Sequence, residues 1–97
     1  MAAYVLAQIK VTDTANYPKY MALAAPAVAK YGGKYLTRGG KTEVLEGDAP
    51  PPRLVILEFP SMEAAHTFYN SPEYRKAREA RKHSAVFQLT VLEGYTP

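Results

Sequence analysis

The residues of this sequence that could do chemistry are one carboxylate and a small set of arginines and tyrosines. Glu58 stands inside the apolar run RLVILEF at residues 53–59, and a carboxylate desolvated in such a setting can act as a general base. Arg38 precedes Gly39 and Gly40, so a guanidinium and backbone N–H groups could together bind a carboxylate or a phosphate. We therefore take Glu58 and Arg38 as candidate catalytic residues.

A structural interpretation of the same residues is equally open. Glu58 could form an ion pair with Arg38 or Arg53, and the two glycines could only shape a bulge or a turn. Buried polar groups need partners, since each one left unpaired costs about 1–3 kcal/mol. Both interpretations predict that Glu58 and Arg38 lie on one face of a sheet.

Further candidates surround the break between two helical segments at Asn70-Ser71-Pro72. Tyrosine combines an apolar ring with a hydroxyl group, which suits the mouth of a pocket for an aromatic substrate. Ser71 also has the sequence context of a helix N-cap. The candidate ligand-binding residues are Gly39, Gly40, Arg53, Tyr69, Ser71, Tyr74 and Arg81.

Metal and cofactor sites are not expected. The chain has no cysteine, which excludes disulfides, thiolate ligands and a cysteine nucleophile. His66 and His83 are far apart, and neither has a carboxylate at the spacing of metal ligands. We interpret both histidines as surface residues.

The length of 97 residues allows a single domain, spanning residues 1–97. The segment 73–83 accounts for the whole net charge of +3. A basic helix could attract nucleic acid, but interspersed Glu73 and Glu79 favour a solvated helix face. No apolar run approaches the ~20 residues of a membrane span, and the N-terminus lacks the features of a signal peptide. We expect a cytoplasmic protein that binds neither nucleic acid nor membranes.

Hydrophobic periodicity predicts the order of the elements. Pro26 predicts a kink or a local break in the first helix, because proline removes one backbone hydrogen bond. The order is typical of an α+β fold, the ferredoxin-like βαββαβ sandwich, whose antiparallel sheet carries helices on one face. The predicted strands are 4–11, 34–38, 41–46, 53–59 and 86–93, and the predicted helices are 16–31, 61–70 and a segment starting at Pro72.

One face of the predicted sheet is apolar but has no helices to cover it. Val55, Leu57 and Phe59 would face the helices, whereas Leu54 and Ile56 would face the other way. Two copies packed face to face would bury this surface, so we expect a homodimer through the sheet face; the alternative is a monomer with a partly apolar sheet. The same face would carry polar residues as in a small-molecule cavity: Gln8, Arg38, Glu58, Gln88 and Thr90.

Several stretches resemble the bacterial family called domain of unknown function 1330. The RGG, EFPS and NSPEY blocks carry the resemblance, which covers nearly the whole chain. It implies a ferredoxin-like domain that forms a dimeric α/β barrel, and it implies no established reaction. More distantly, that superfamily includes cofactor-free monooxygenases, muconolactone-isomerase-like enzymes and heme-handling proteins. The stretches are KYGGKYLTRGG (30–40), VLEGDAPPPRLVILEFPS (44–61), FYNSPEYRKAREAR (68–81) and LTVLEG (89–94).

Two functional hypotheses follow from the residues and the resemblance. The first is a homodimeric barrel that binds a small anionic or aromatic metabolite, with cofactor-independent chemistry carried out by Glu58 and Arg38. The second is a non-catalytic ligand-binding or stress-related accessory protein on the same scaffold. They differ in whether an acid is poised within the pocket.

Overall fold

A four-stranded antiparallel sheet covered on one face by three helices makes up the computed structural model, which describes residues 1–97. The elements along the chain are β1 (Ala3–Val11), α1 (Tyr17–Lys30), β2 (Lys34–Arg38), β3 (Arg53–Phe59), α2 (Met62–Tyr69), α3 (Pro72–Ala80) and β4 (Ala85–Glu93). The strands lie in the order β2-β3-β1-β4, which is the ferredoxin-like order and confirms the predicted fold.

The core forms where alternate side chains of the two central strands face the helices. Successive side chains of a strand point to opposite faces, and the helix-facing set is buried. These buried residues are Val5, Ala7 and Ile9 of β1 and Val55, Leu57 and Phe59 of β3. The other set makes up what we call the helix-free face, whose central residues Tyr4, Leu6, Leu54 and Ile56 are half-buried. The structure confirms the prediction that Val55, Leu57 and Phe59 face the helices while Leu54 and Ile56 face away from them.

Helix α1 is held against α3 by a polar contact at its C-terminal end. Lys30 and the hydroxyl of Tyr31 both donate hydrogen bonds to the Glu73 carboxylate. These two donors lower the pKa of Glu73 to about 2. The contact therefore ties the end of α1 to the first turn of α3.

The break predicted at Pro26 is wrong, because α1 continues as one helix from Tyr17 to Lys30. Proline at this position leaves the carbonyl of Ala22 without its helical partner. Ala22 and Pro26 are both exposed, so water can bind that carbonyl and the lost hydrogen bond does not interrupt the helix.

The strand predicted at 41–46 is also wrong. The chain leaves the sheet at Gly39, whose φ of +69° lies in the left-handed region. Residues 39–52 then form a mostly exposed segment without helix or strand. β2 therefore remains the edge strand of the sheet. Within the exposed segment, Nζ of Lys41 lies 3.4 Å from a carboxylate oxygen of Glu43.

Ser71 connects α2 to α3 through two hydrogen bonds. Its hydroxyl accepts from the backbone N–H of Tyr74 at 3.1 Å, which caps α3 as predicted, and donates to the carbonyl of Phe68 at 2.7 Å. The residue is only 4% exposed. Ser61 caps α2 more simply, by accepting from the N–H of Ala64 at 3.0 Å.

Replacing Ser71 should therefore cost more stability than replacing Ser61. Ser61→Ala removes one capping acceptor and should lower the free energy of unfolding by about 1 kcal/mol. Ser71→Ala removes a cap and a buried hydroxyl–carbonyl hydrogen bond, so we expect a loss of about 2 kcal/mol. Urea denaturation of both variants measures the difference.

Ser71→Asp separates the two roles of this hydroxyl. An aspartate can cap α3, but its carboxylate cannot donate to the Phe68 carbonyl, and its burial is costly. The variant should be less stable than the wild type. Wild-type stability would mean that capping alone accounts for Ser71.

Candidate functional site

A cavity of about 300 Å³ lies between the sheet and the helices. All four strands and all three helices contribute to its walls, which are mostly apolar. Val5, Ala7 and Ile9 of β1 form part of its floor, and Tyr20 and Ala24 of α1 form part of the opposite wall. This space is the candidate functional site, because small-molecule sites are concave, largely apolar and lined by a few polar groups.

Aromatic rings dominate the lining of the cavity. The ring centroids of Tyr17 and Tyr20 are 5.6 Å apart, and those of Phe68 and Tyr74 are 4.5 Å apart. Burial raises the pKa of the Tyr17 and Tyr35 hydroxyls above the ordinary value of 10.0, so both hydroxyls are neutral hydrogen-bonding groups at physiological pH. The aromatic lining residues are Tyr17, Tyr20, Tyr35, Phe68, Tyr69 and Tyr74.

Arg53 brings a positive charge to this lining from the start of β3. Its guanidinium carbon lies 5.7 Å from the centroid of the Tyr17 ring, and Nη2 makes only a 3.8 Å contact with the sulfur of Met21. The Nε atom is buried and has no hydrogen-bond partner. No carboxylate oxygen forms an ion pair with Arg53, so its charge is not neutralised within the chain.

Arg38 adds a second positive charge at the end of β2. Its guanidinium carbon lies 4.7 Å from the centroid of the Tyr35 ring, and it has no carboxylate partner either. Arg38 pairs with Val55 in the sheet, and Arg53 precedes Val55 by two residues on the same face. The two arginines are thus diagonal neighbours, a separation within reach of long side chains, and both line the cavity.

The predicted pairing of Glu58 with an arginine is wrong. Glu58 lies opposite Tyr4 and Lys34 in the sheet, which places it on the helix-free face, and its carboxylate is 3.6 Å from Nζ of Lys34. Arg38 lies on the other face, because the pairing of β2 with β3 shifts by one residue between Tyr35 and Thr37. Glu58 therefore does not line the cavity.

The remaining predicted ligand-binding residues divide between the cavity and its surroundings. Tyr69 and Tyr74 line the cavity, and the Tyr69 hydroxyl accepts a hydrogen bond from Arg78 at 2.7 Å. Ser71 does not line it, since its hydroxyl is used within the α2–α3 junction. Arg81 does not line it either; its guanidinium carbon lies 3.8 Å from the centroid of the Phe87 ring.

Gly39 leaves room for the guanidinium group of Arg53, and it does not offer a free backbone N–H to the cavity. Its N–H donates to the carbonyl of Leu54 at 2.9 Å, so the anion-binding amide predicted there is wrong. A Cβ atom at Gly39 would lie 2.2 Å from Nη1 of Arg53. Gly40 has open space around it, so only Gly39 is required for the position of the guanidinium.

Several residues that line the cavity are not among the candidates predicted from the sequence. Tyr20 and Tyr35 are not among those candidates, and His66 is interpreted from the sequence as a surface residue, although all three border the cavity. His66 is exposed, so both descriptions of it are correct. Helical spacing places Tyr17, Tyr20 and Ala24 on one face of α1. The small side chain of Ala24 beside two tyrosines leaves space on that face, and this pattern in the sequence could have indicated the cavity. No group of three His, Asp or Glu residues could hold a metal ion.

A side chain at Gly39 should destabilise the protein, whereas one at Gly40 should not. Gly39→Ala forces a non-glycine residue to a φ of +69° and displaces Arg53. We expect it to lower the free energy of unfolding by about 2 kcal/mol. Gly40→Ala, the matched control, should change it by less than about 0.5 kcal/mol. Equal effects in urea denaturation would contradict the close packing of Gly39 on Arg53.

Several solved structures share this fold. A protein of unknown function from Rhodopseudomonas palustris matches with a TM-score of 0.78 at 21% identity, over 99% of this chain and 84% of that one. SnoaB from Streptomyces nogalater, described as a cofactor-independent oxygenase, matches with a TM-score of 0.66 at 12% identity, over 99% and 95%. A Bacteroides fragilis protein of unknown function, described as dimeric with a ferredoxin-like fold, matches with a TM-score of 0.56 at 13% identity, over 96% of each chain.

At these identities the likeness establishes the fold alone. No curated protein matches the chain, and none of its helices has the length and apolar character needed to cross a membrane. The model of the family described as domain of unknown function (DUF1330) matches residues 2–95. The chain therefore belongs to that family, as its sequence blocks predicted.

Proposed function

We propose that this protein binds a small aromatic molecule with a negative charge, in the cavity between the sheet and the helices. The observation that carries this proposal is a pair of arginines, Arg38 and Arg53, that line a mostly apolar cavity without a carboxylate partner. Their guanidinium groups would hold the anionic group, and the tyrosine and phenylalanine rings would contact the rest of the molecule.

The negative charge of the proposed ligand is inferred from two arginines, Arg38 and Arg53, that have no carboxylate partner in the protein. A buried donor without a partner costs about 1–3 kcal/mol, and Nε of Arg53 is such a donor. Guanidinium groups bind carboxylates through two parallel hydrogen bonds. No aspartate or glutamate lines the cavity, so a bound anion would supply the missing counter-charge.

The aromatic character and size of the ligand follow from the walls. Aromatic pairs favour tilted or edge-to-face contacts, and the rings of Tyr17, Phe68 and Tyr74 already make such contacts at the cavity surface. The volume of about 300 Å³ is at the lower end of the range for ligand pockets. A molecule with one or two rings fits this space.

The residues that line the cavity favour ligand binding without catalysis. Glu58, the candidate base, faces away from the cavity, and the lining offers no other carboxylate. Arg38, which the sequence suggested as a catalytic residue, has an anion-binding role in this proposal. SnoaB, described as a cofactor-independent oxygenase, shares the fold at 12% identity, and this likeness does not extend to its activity.

The test uses 2-naphthoate as the probe and 2-naphthamide as its uncharged counterpart. The wild type should bind 2-naphthoate in a calorimetric titration and should bind the amide at least about 10-fold more weakly, because charged hydrogen bonds contribute about 1.5–3 kcal/mol. Arg38→Met should remove most of this preference. Arg75→Met is the matched control, since Arg75 is exposed on α3 and does not line the cavity.

Two results would overturn the proposal. One is equal binding of the acid and the amide, or no binding of either, by the wild type. The other is an equal loss of affinity in Arg38→Met and Arg75→Met, which would indicate a general effect of net charge. Arg38 is exposed, so its replacement should leave the fold intact.

We also propose that two copies of the chain pack through the helix-free face. Leu92 of β4 is 48% exposed on that face and lies opposite half-buried Tyr4, whereas Leu6 lies opposite Ile56. Val86, which is 63% exposed, lies on the same face opposite Lys10. Packing a second sheet against them would remove this apolar surface from water. The Bacteroides fragilis protein with the same fold is described as dimeric, which supports a dimer on this fold.

Sedimentation equilibrium tests the proposed dimer. At micromolar concentration the wild type should show twice the mass of one chain. Ile56→Lys should shift the protein to the monomer, because the interface would bury an unpaired charge. Ala22→Lys introduces the same charge on the exposed side of α1 and should stay dimeric. A wild-type monomer, or a dimer that survives Ile56→Lys, would contradict the proposal.

A further inference from the structure

The cavity contains a second polar feature, which the binding of an anion by Arg38 and Arg53 leaves unused. The hydroxyl oxygens of Tyr20 and Tyr74 lie 2.8 Å apart and form a buried hydrogen bond. Tyr20 comes from α1 and Tyr74 from α3. They are 9% and 2% exposed, and both line the cavity. We call these two residues the tyrosine pair.

A count of hydrogens shows that the tyrosine pair has one donor to spare. Each phenol carries one O–H donor, and the contact between the two oxygens uses only one of them. Neither oxygen has another hydrogen-bond partner in the protein. Burial raises the pKa of Tyr20 above its ordinary value, so this residue keeps its proton at physiological pH.

Packing holds the tyrosine pair in one orientation. The two rings meet edge to face, with centroids 6.2 Å apart. Phe68 packs against Tyr74 at 4.5 Å, and Phe87 packs against Tyr20 at 5.0 Å. An O–H group on such a fixed ring is a directional donor, and a buried donor without an acceptor costs about 1–3 kcal/mol.

The charge near the tyrosine pair also favours an acceptor. The guanidinium carbon of Arg81 lies 5.6 Å from the centroid of the Tyr20 ring, and its Nε is buried without a partner. Arg81 has no carboxylate within ion-pair distance. Its positive charge would therefore favour an acceptor oxygen with partial negative charge beside the pair.

Given the proposed binding of an aromatic anion, on which this inference rests, we propose that the tyrosine pair donates its free O–H to a carbonyl oxygen of the same ligand. The ligand class then becomes narrower: an aromatic molecule with an anionic group at one end and a carbonyl group remote from it. Arg38 and Arg53 hold the first group, and Tyr20 and Tyr74 hold the second. The alternative occupant of the second position is a water molecule.

The experiment compares ligands that differ only in the acceptor. The probes are 6-acetyl-2-naphthoate and 7-acetyl-2-naphthoate, each against the isopropenyl compound in which a CH₂ group replaces the carbonyl oxygen. Two ring positions are used so that one of them can reach the tyrosine pair. The wild type should bind at least one acetyl compound about 5–10-fold more tightly than its isopropenyl partner, as one neutral hydrogen bond provides.

The double variant Tyr20→Phe with Tyr74→Phe assigns this preference to the pair. Both residues must change, because either hydroxyl alone could still donate. The double variant should bind acetyl and isopropenyl compounds equally, and it should still bind 2-naphthoate, because both aromatic rings remain in the cavity. Tyr31→Phe, whose hydroxyl bonds to Glu73 outside the cavity, should keep the full preference.

The outcomes separate this inference from the function on which it rests. Equal binding of acetyl and isopropenyl compounds by the wild type, at both ring positions, would mean that only water occupies the second position and would overturn the inference. A preference that survives in the double variant would overturn it as well. Failure of 2-naphthoate and all four substituted compounds to bind would instead overturn the proposed function.

Discussion

The one-residue shift in the pairing of β2 with β3 is the feature on which the chemistry of the cavity depends. Side chains of a strand alternate between faces, so one extra residue between Tyr35 and Thr37 moves Arg38 to the opposite side of the sheet. With a regular register Arg38 would lie opposite Leu54 on the helix-free face. The bulge places it opposite Val55 instead, on the side of the helices and beside Arg53.

The sequence was sufficient for features that depend on regular alternation, and insufficient for features that depend on its interruption. Alternation predicted the two faces of β3, and the order of the predicted elements, together with the family blocks, predicted the fold. The bulge in β2 contains no glycine that would have indicated it in the sequence, since the glycines follow at positions 39 and 40. Hence the pairing of Arg38 with Glu58 was wrong. The strand at 41–46 was wrong because periodicity cannot show whether a neighbouring strand is available for pairing.

Polar groups in the cavity lower stability in the unliganded protein, and this is why they point to a ligand. The core could have filled the same space with aliphatic side chains, which pack without unpaired donors. Instead, Nε of Arg53 is buried without a partner and the tyrosine pair keeps a free O–H. Groups held at a cost to stability are common at functional sites. The contrast with Ser71 is informative: it is equally buried, but its hydroxyl is fully used.

The two faces of β3 would have separate tasks. Arg53, Val55 and Leu57 line the cavity, whereas Leu54 and Ile56 belong to the helix-free face proposed to meet a second copy. Because the same strand carries both sets, a dimer that fixes the twist and register of β3 also fixes where Arg53 sits relative to Arg38. Backbone shifts of the β2–β3 edge would change the spacing of the two guanidinium groups. The proposed assembly and the proposed ligand binding would therefore be coupled through one strand, even though no side chain need take part in both.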